Sequence, residues 1–123
     1  MIIASNIGDF ECNSRDDFKA QMLVCMRQEQ GNEIWCSLSN EDEFPTLSIL
    51  TSQLGAVVNY FSEENEEQFA SVGAMEEDGC EAFLNGQYEV AVYQIISLEK
   101  ALECALEFYD THERPECIEW EEI

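Results

Sequence analysis

The chain has 123 residues, 27 acidic against 5 basic side chains and one histidine, giving a formal charge of −22. A single domain of this length buries roughly two-thirds of the surface its unfolded chain exposes, so it needs no metal or disulfide to hold a core. Its 46% hydrophobic and 11% aromatic content excludes a disordered acidic tail. Such a charge also repels nucleic acid and anionic membrane surfaces, which select clustered Lys and Arg, and it favours fast capture of a basic protein partner.

Ser14, with an acid three residues on at Asp17, is a helix-capping pattern, and Phe18, Met22, Cys25 and Met26 recur at helical spacing. An amphipathic helix is predicted over residues 14–30, stopped by Gly31. Period-two alternation follows in Ile34–Leu38, Thr46–Leu50 and Ala56–Phe61, with Ser52–Gly55 as a hairpin link. These three successive strands are joined by two more at Gln68–Val72 and Val90–Ile96. Between those two lies a turn-rich segment containing Gly73, Gly79 and Asn85-Gly86.

Ser97 caps a second predicted helix, in which Leu98, Ala101, Leu102, Ala105, Leu106, Phe108 and Tyr109 form a wide apolar stripe suited to covering one face of a sheet. Pro115 ends it, because proline cannot continue a helix and biases Arg114 away from helical angles. Ile118 and Trp120 then alternate with Glu119 and Glu121, which predicts a short final strand with the Trp120 ring turned toward the last helix. Strands flanked by helices without βαβ alternation point to an α+β fold. The expectation is an antiparallel-rich sheet of about five to six strands with two flanking helices, all in one domain over residues 1–123.

No apolar run reaches the roughly 18 residues a membrane helix needs, and the first ten residues lack the basic and apolar regions of a secretory signal. The expected location is the cytoplasm. The six cysteines, Cys12, Cys25, Cys36, Cys80, Cys104 and Cys117, form no C-x-x-C pair and read as reduced thiols packed as small apolar groups. His112, the one histidine, falls at a polar helix end, where the helix dipole favours a cap over catalysis. Cys104, His112 and Cys117 are too few and too oddly spaced for zinc, and Glu76–Gly79 lacks the register of a calcium loop. No glycine pattern matches a phosphate-binding loop. No catalytic residue, metal or cofactor is therefore expected, and an enzyme is the poorer reading.

The carboxylates cluster at 41–43, 63–67, 76–78 and 119–122, three of these in turns. Loops on a rigid sheet can present several carboxylates to a groove built for nucleic acid. The candidate partner-binding residues are Glu63, Glu64, Glu66 and Glu67 in one loop, with Glu76, Glu77 and Asp78 in the next.

Phe44-Pro-Thr-Leu-Ser-Ile49, Ala56-Val-Val-Asn-Tyr60, Phe69-Ala-Ser-Val-Gly73, Ala105-Leu-Glu-Phe108 and Arg114-Pro-Glu-Cys-Ile-Glu-Trp-Glu-Glu122 occur in that order. In this, from Phe44 onward, the chain resembles the immunity proteins of bacterial polymorphic toxins, in the first-numbered family of their immunity domains. The resemblance is greatest to those that accompany a double-stranded-DNA cytidine deaminase toxin. It implies a small cytoplasmic inhibitor without catalytic residues, a monomer that forms a heterodimer with a basic, nucleic-acid-acting toxin domain and blocks its active-site cleft. Binding to nucleic acid or to membrane is not expected. Within that pattern Phe44, Tyr60, Gly73, Phe108 and Trp120 read as core and turn positions, and Arg114 as an anchor for the last carboxylates. Immunity to a nuclease toxin, an acidic nucleic-acid mimic that binds basic proteins generally, and a small metal-dependent enzyme remain as alternatives.

Overall fold

The computed structural model describes residues 1–39, 41, 44–62, 66–74, 77–84 and 86–123. Its elements, in chain order, are β1 (Ile2–Ser5), β2 (Gly8–Glu11), α1 (Arg15–Met26), β3 (Asn32–Ser37), β4 (Thr46–Ser52), β5 (Gly55–Phe61), β6 (Gln68–Val72), β7 (Cys80–Phe83), β8 (Tyr88–Ala91), α2 (Leu98–Thr111) and β9 (Glu119–Glu122). Seven strands form one antiparallel sheet in the order β2-β1-β3-β4-β5-β6-β9, and β7 pairs with β8 in a separate hairpin. The α+β class holds, but the strand count exceeds the expected five to six. Strands β1, β2 and β7 lack a full apolar–polar alternation in sequence, and β7 is mostly solvent-exposed. The strand predicted at 90–96 ends at Ala91, and Val92–Gln94 form a 3-10 turn instead.

Both helices start where capping chemistry places them. The Ser14 hydroxyl accepts from the Asp17 N–H at 3.1 Å, and the Ser97 hydroxyl from the Lys100 N–H at 3.1 Å. Helix α1 stops at Met26 rather than at residue 30, and Gly31 shapes the following turn instead of capping the helix. With φ +84, it sits where a Cβ would collide with the Thr51 carbonyl oxygen. Helix α2 ends at Thr111, before Pro115 can act: His112 adopts the left-handed conformation at the C-cap (φ 60), and its N–H reaches the Phe108 carbonyl at 2.7 Å.

Register decides the faces of the sheet. Ile34 pairs with Ile49 and Ile49 with Val58, while Cys36 pairs with Leu47, Leu47 with Tyr60, and Tyr60 with Phe69. Side chains opposite one another share a face, so these residues build one apolar surface. Onto it pack Phe18, Met22, Cys25 and Met26 of α1 with Ala101, Cys104, Ala105 and Phe108 of α2. Fully burying a side chain of this size stabilises by about 1.5–3 kcal/mol each, which makes this layer the main source of stability. Trp120 joins it from β9, half-buried, with its indole N–H donating to the Pro115 carbonyl at 2.7 Å.

On the opposite face, Phe83 and Val90 of the β7–β8 hairpin cover Val57 in a small second core. The segment leading to α2 wedges between β5 and β6. Ala56 exchanges both backbone hydrogen bonds with Ile96 at 2.8 Å, while β6 takes over from Asn59 onward. At the join, the buried Ser71 hydroxyl accepts from the Val58 N–H at 3.0 Å and donates to the Gln94 carbonyl at 2.7 Å. Gly73 completes the wedge, because a Cβ there would strike the Ile95 carbonyl oxygen. Among the described residues no helix is long and apolar enough to cross a membrane.

Candidate partner-binding face

With the helices on one side, strict alternation sends Trp35, Ser37, Thr46, Ser48, Asn59 and Phe61 to the other. The hairpin covers only part of that side, around Leu50 and Val57. Beyond it, Trp35 of β3 and Phe61 of β5 stack across β4, with centroids 5.8 Å apart and planes inclined by 24°. They can meet because β4 offers only the short side chains of Thr46 and Ser48 beneath them, which also hollows the surface. Phe44 leans on Phe61 from the rim at 6.5 Å. It is therefore not the core position expected from sequence: it lines the open face and remains partly exposed.

Two depressions meet at Trp35 and Phe61. One, of about 630 Å³, runs toward Ile2, Ala4 and Asp9 and includes Glu41 and Gln68; the other, of about 330 Å³, runs toward Tyr88, Glu89 and Val90 of the hairpin. Glu33 lines the smaller one with both oxygens engaged. Its Oε1 accepts the Trp35 indole N–H at 3.1 Å and its Oε2 the Tyr88 hydroxyl at 2.6 Å. That bond to a carboxylate pushes the Tyr88 phenol above its ordinary range. The indole is thus held in one orientation, its N–H already used and 39% of the residue open to solvent.

Charge is segregated between the two faces. The five basic residues are Arg15, Lys19, Arg27, Lys100 and Arg114, all within α1 and α2 or on the segments just after them. Arg15 pairs with Asp110 at 3.0 Å and Lys100 with Glu103 at 3.3 Å. Arg114 was expected to anchor the last carboxylates; instead its guanidinium lies 4.2 Å from the centre of the Phe69 ring, on the helix side of β6. The partly buried ring is a suitable partner there because a guanidinium stacks on an aromatic face with little loss of hydration. Asp9, Glu33, Glu41 and Glu89 line the open face, and none of the five cations does.

The described acidic residues singled out from sequence lie in two connections, one on each side of β6. Glu66 and Glu67 are exposed in the connection between β5 and β6, where Glu67 closes a turn by hydrogen bonds with Ser62 at 3.0 Å through the backbone and 2.9 Å through the hydroxyl. Glu77 and Asp78 are exposed beyond the far end of β6. Glu63, Glu64 and Glu76 lie outside the described residues. The five residues of β6 separate the two connections by about 13 Å at 3.3 Å per residue, so they leave opposite ends of the sheet. The 62–67 connection adjoins the larger depression, since Phe61 pairs with both Thr46 and Gln68 at that end. Trp35 and Phe61 were read only as members of alternating strands. The signal that marks them is there: each shares its alternate positions with a polar residue, Ser37 and Asn59, rather than with the apolar set.

Of the residues weighed as a zinc set, Cys104 and Cys117 meet with sulfurs 3.3 Å apart, whereas His112 is exposed at the C-cap of α2. Burial pushes both thiols upward, Cys104 most.

No protein-family model matches the chain. Over 87 residues it is 33% identical to a double-stranded DNA deaminase immunity protein of Burkholderia cenocepacia (strain H111), an alignment that spans 68% of this chain and 69% of that protein. The chain belongs to the double-stranded DNA deaminase immunity protein family. Membership rests on this relative, and the first-numbered immunity-domain family expected from sequence is not matched by its model. In this family member, the helix-covered face carries the packing and the cations, and the opposite face is open, aromatic and anionic.

Proposed function

We propose that the chain neutralises a cognate deaminase toxin domain in the cytoplasm of the producing cell, binding it one to one so as to block the active-site cleft. It acts by occupancy and has no catalytic role of its own. The observation that carries this reading is the 33% identity to a protein named as a double-stranded DNA deaminase immunity protein, over about two-thirds of both chains. Charge supports it. A domain that acts on DNA presents cationic groups along its cleft to hold phosphates, and a chain of charge −22 complements such a cleft. Of the acidic loops expected to bind, Glu63, Glu64, Glu66 and Glu67 are taken as the contact, a choice supported by Glu66 and Glu67 following Phe61 of the open face in the chain while Glu77 and Asp78 follow the other end of β6.

The test is a titration. Cytosine deamination in a double-stranded oligonucleotide by the cognate toxin domain should fall linearly with added chain and vanish at one equivalent. Full activity at a twofold excess overturns the reading. Complete inhibition far below one equivalent overturns the stoichiometric part, since the chain would then be turning over.

A further inference from the structure

We propose that the open sheet face is the toxin-docking surface and that it captures an arginine of the toxin, whose guanidinium stacks on the Trp35–Phe61 platform among carboxylates. This rests on the toxin-binding reading and adds to it the surface and the side chain recognised.

The position of Trp35 is the starting point. Strand β3 lies inside the sheet, between β1 and β4, where a large aromatic would ordinarily be covered, yet Trp35 is 39% exposed. An exposed tryptophan in a concave setting of aromatic, aliphatic and acidic side chains has the composition of an interface anchor. Glu33 has already taken the indole N–H and Phe61 stacks on one side of the ring, so what the ring still offers is its other π face. A π face flanked by Asp9, Glu33, Glu41 and Glu89 selects a cation. Two nearly parallel rings select a planar and weakly hydrated one, which is guanidinium rather than ammonium. The fold uses the same chemistry internally, where Arg114 lies over Phe69 at 4.2 Å.

Charge also rejects the other occupants. Bases of a single strand can stack on aromatic platforms, but their phosphates would meet these carboxylates without a single Lys or Arg on the face to hold them. A second copy docking face to face would oppose like charges, because all five cations of each copy belong to its helix layer. A basic protein segment is the occupant that satisfies both the rings and the field.

The experiment measures the affinity of the purified cognate toxin domain for the wild-type chain, for Trp35→Ala, for a double variant Asp9→Asn with Glu41→Gln, and for Lys19→Gln on the helix layer. Trp35→Ala should weaken binding at least about 30-fold, the scale of an interface hot spot. The double variant should slow association and flatten its salt dependence, and Lys19→Gln should stay within about threefold. On the toxin, one arginine changed to lysine should lose a comparable factor that does not add to the loss from Trp35→Ala. Should Trp35→Ala fail to fold, a Trp120→Phe background leaves Trp35 as the sole tryptophan, and its quenching by acrylamide should drop several-fold in the complex. If the wild-type chain does not bind the toxin, the functional reading itself fails. If it binds tightly while Trp35→Ala binds equally well, or Trp35 stays quenchable in the complex, this face is not the docking surface. Strictly additive losses from every toxin arginine would remove the guanidinium.

Discussion

Ser71 is a small side chain on which the junction of three segments depends, and replacing it with alanine tests that directly. It is fully buried, and its hydroxyl both accepts from the Val58 N–H and donates to the Gln94 carbonyl. Alanine fits the same space but leaves the buried Val58 N–H and the part-buried Gln94 carbonyl without that partner. Each such group costs about 1–3 kcal/mol, so Ser71→Ala should destabilise by about 2–5 kcal/mol, with about 3 as the central value. A chain of this length loses about 3–5 °C of Tm per kcal/mol, which gives a drop of about 10–15 °C. Urea unfolding followed by far-ultraviolet circular dichroism would measure it, and the denaturant slope should not change, because the surface exposed on unfolding is the same. Ser62→Ala is the control: its hydroxyl also accepts a backbone N–H, from Glu67, but at an exposed turn where water replaces it, so it should lose under about 1 kcal/mol. A loss below about 1 kcal/mol for Ser71→Ala would refute the reasoning, since the wedge between β5 and β6 would then hold without the hydroxyl.

Trp120→Ala should lower stability by about 3 kcal/mol, the lower part of the range for large aromatics because the ring is only half-buried; an unchanged melting temperature with lost toxin affinity would instead move Trp120 into the interface. Stability should fall as pH rises past about 9. Burial holds the Cys36 and Cys104 thiols well above their ordinary value of 9.0, so the folded chain keeps protons that the unfolded chain releases. That contribution is fully present below pH 9 and declines by about 1.4 kcal/mol per thiol by pH 10, so urea midpoints measured at pH 7.5, 9 and 10 should descend, and a flat or rising series contradicts the assignment. Changing Glu63, Glu64, Glu66 and Glu67 to Gln should slow toxin association by about one to two orders of magnitude and weaken its salt dependence, whereas Glu77→Gln with Asp78→Asn, beyond the other end of β6, should change it by less than about threefold. Stopped-flow rates at two salt concentrations separate these, and equal effects from both loops would place the contact elsewhere.

Elements whose signals lie within a few residues were legible in the sequence. Ser14 and Ser97 cap their helices through hydrogen bonds to N–H groups three positions on, and the strands β3 to β6 and β9 announce themselves by alternation. The hairpin at Ser52–Gly55 falls in the same class, since its pairing is local. Ile2–Ser5, Gly8–Glu11 and Cys80–Phe83 lack the full apolar–polar alternation that marks Ile118–Glu121, which is why β1, β2 and β7 were missed, and Val92–Gln94 kept the apolar content of a strand while turning aside to reach Ile96.

The candidate face divides in the same way. Composition already contained the acidity, and the alternation at Ile34–Ser37 already put Trp35 opposite Ile34 and Cys36. Alternation assigns residues to two faces without saying which one the helices will cover. That choice came from packing: α1 and α2 lie together on the Ile34–Leu47–Tyr60 side, which drew every Lys and Arg to that layer and left Trp35, Phe61 and Phe44 open among carboxylates. The two acidic loops, by contrast, flank the strand read at Gln68–Val72, so their departure from opposite ends of β6 was already implied by the sequence. Capping and alternation are interactions between near neighbours and are written where they act, whereas the covered face and the ends of the sheet depend on pairings such as Asn32 with Thr51 and Phe69 with Glu122, which exist only once the chain has closed on itself.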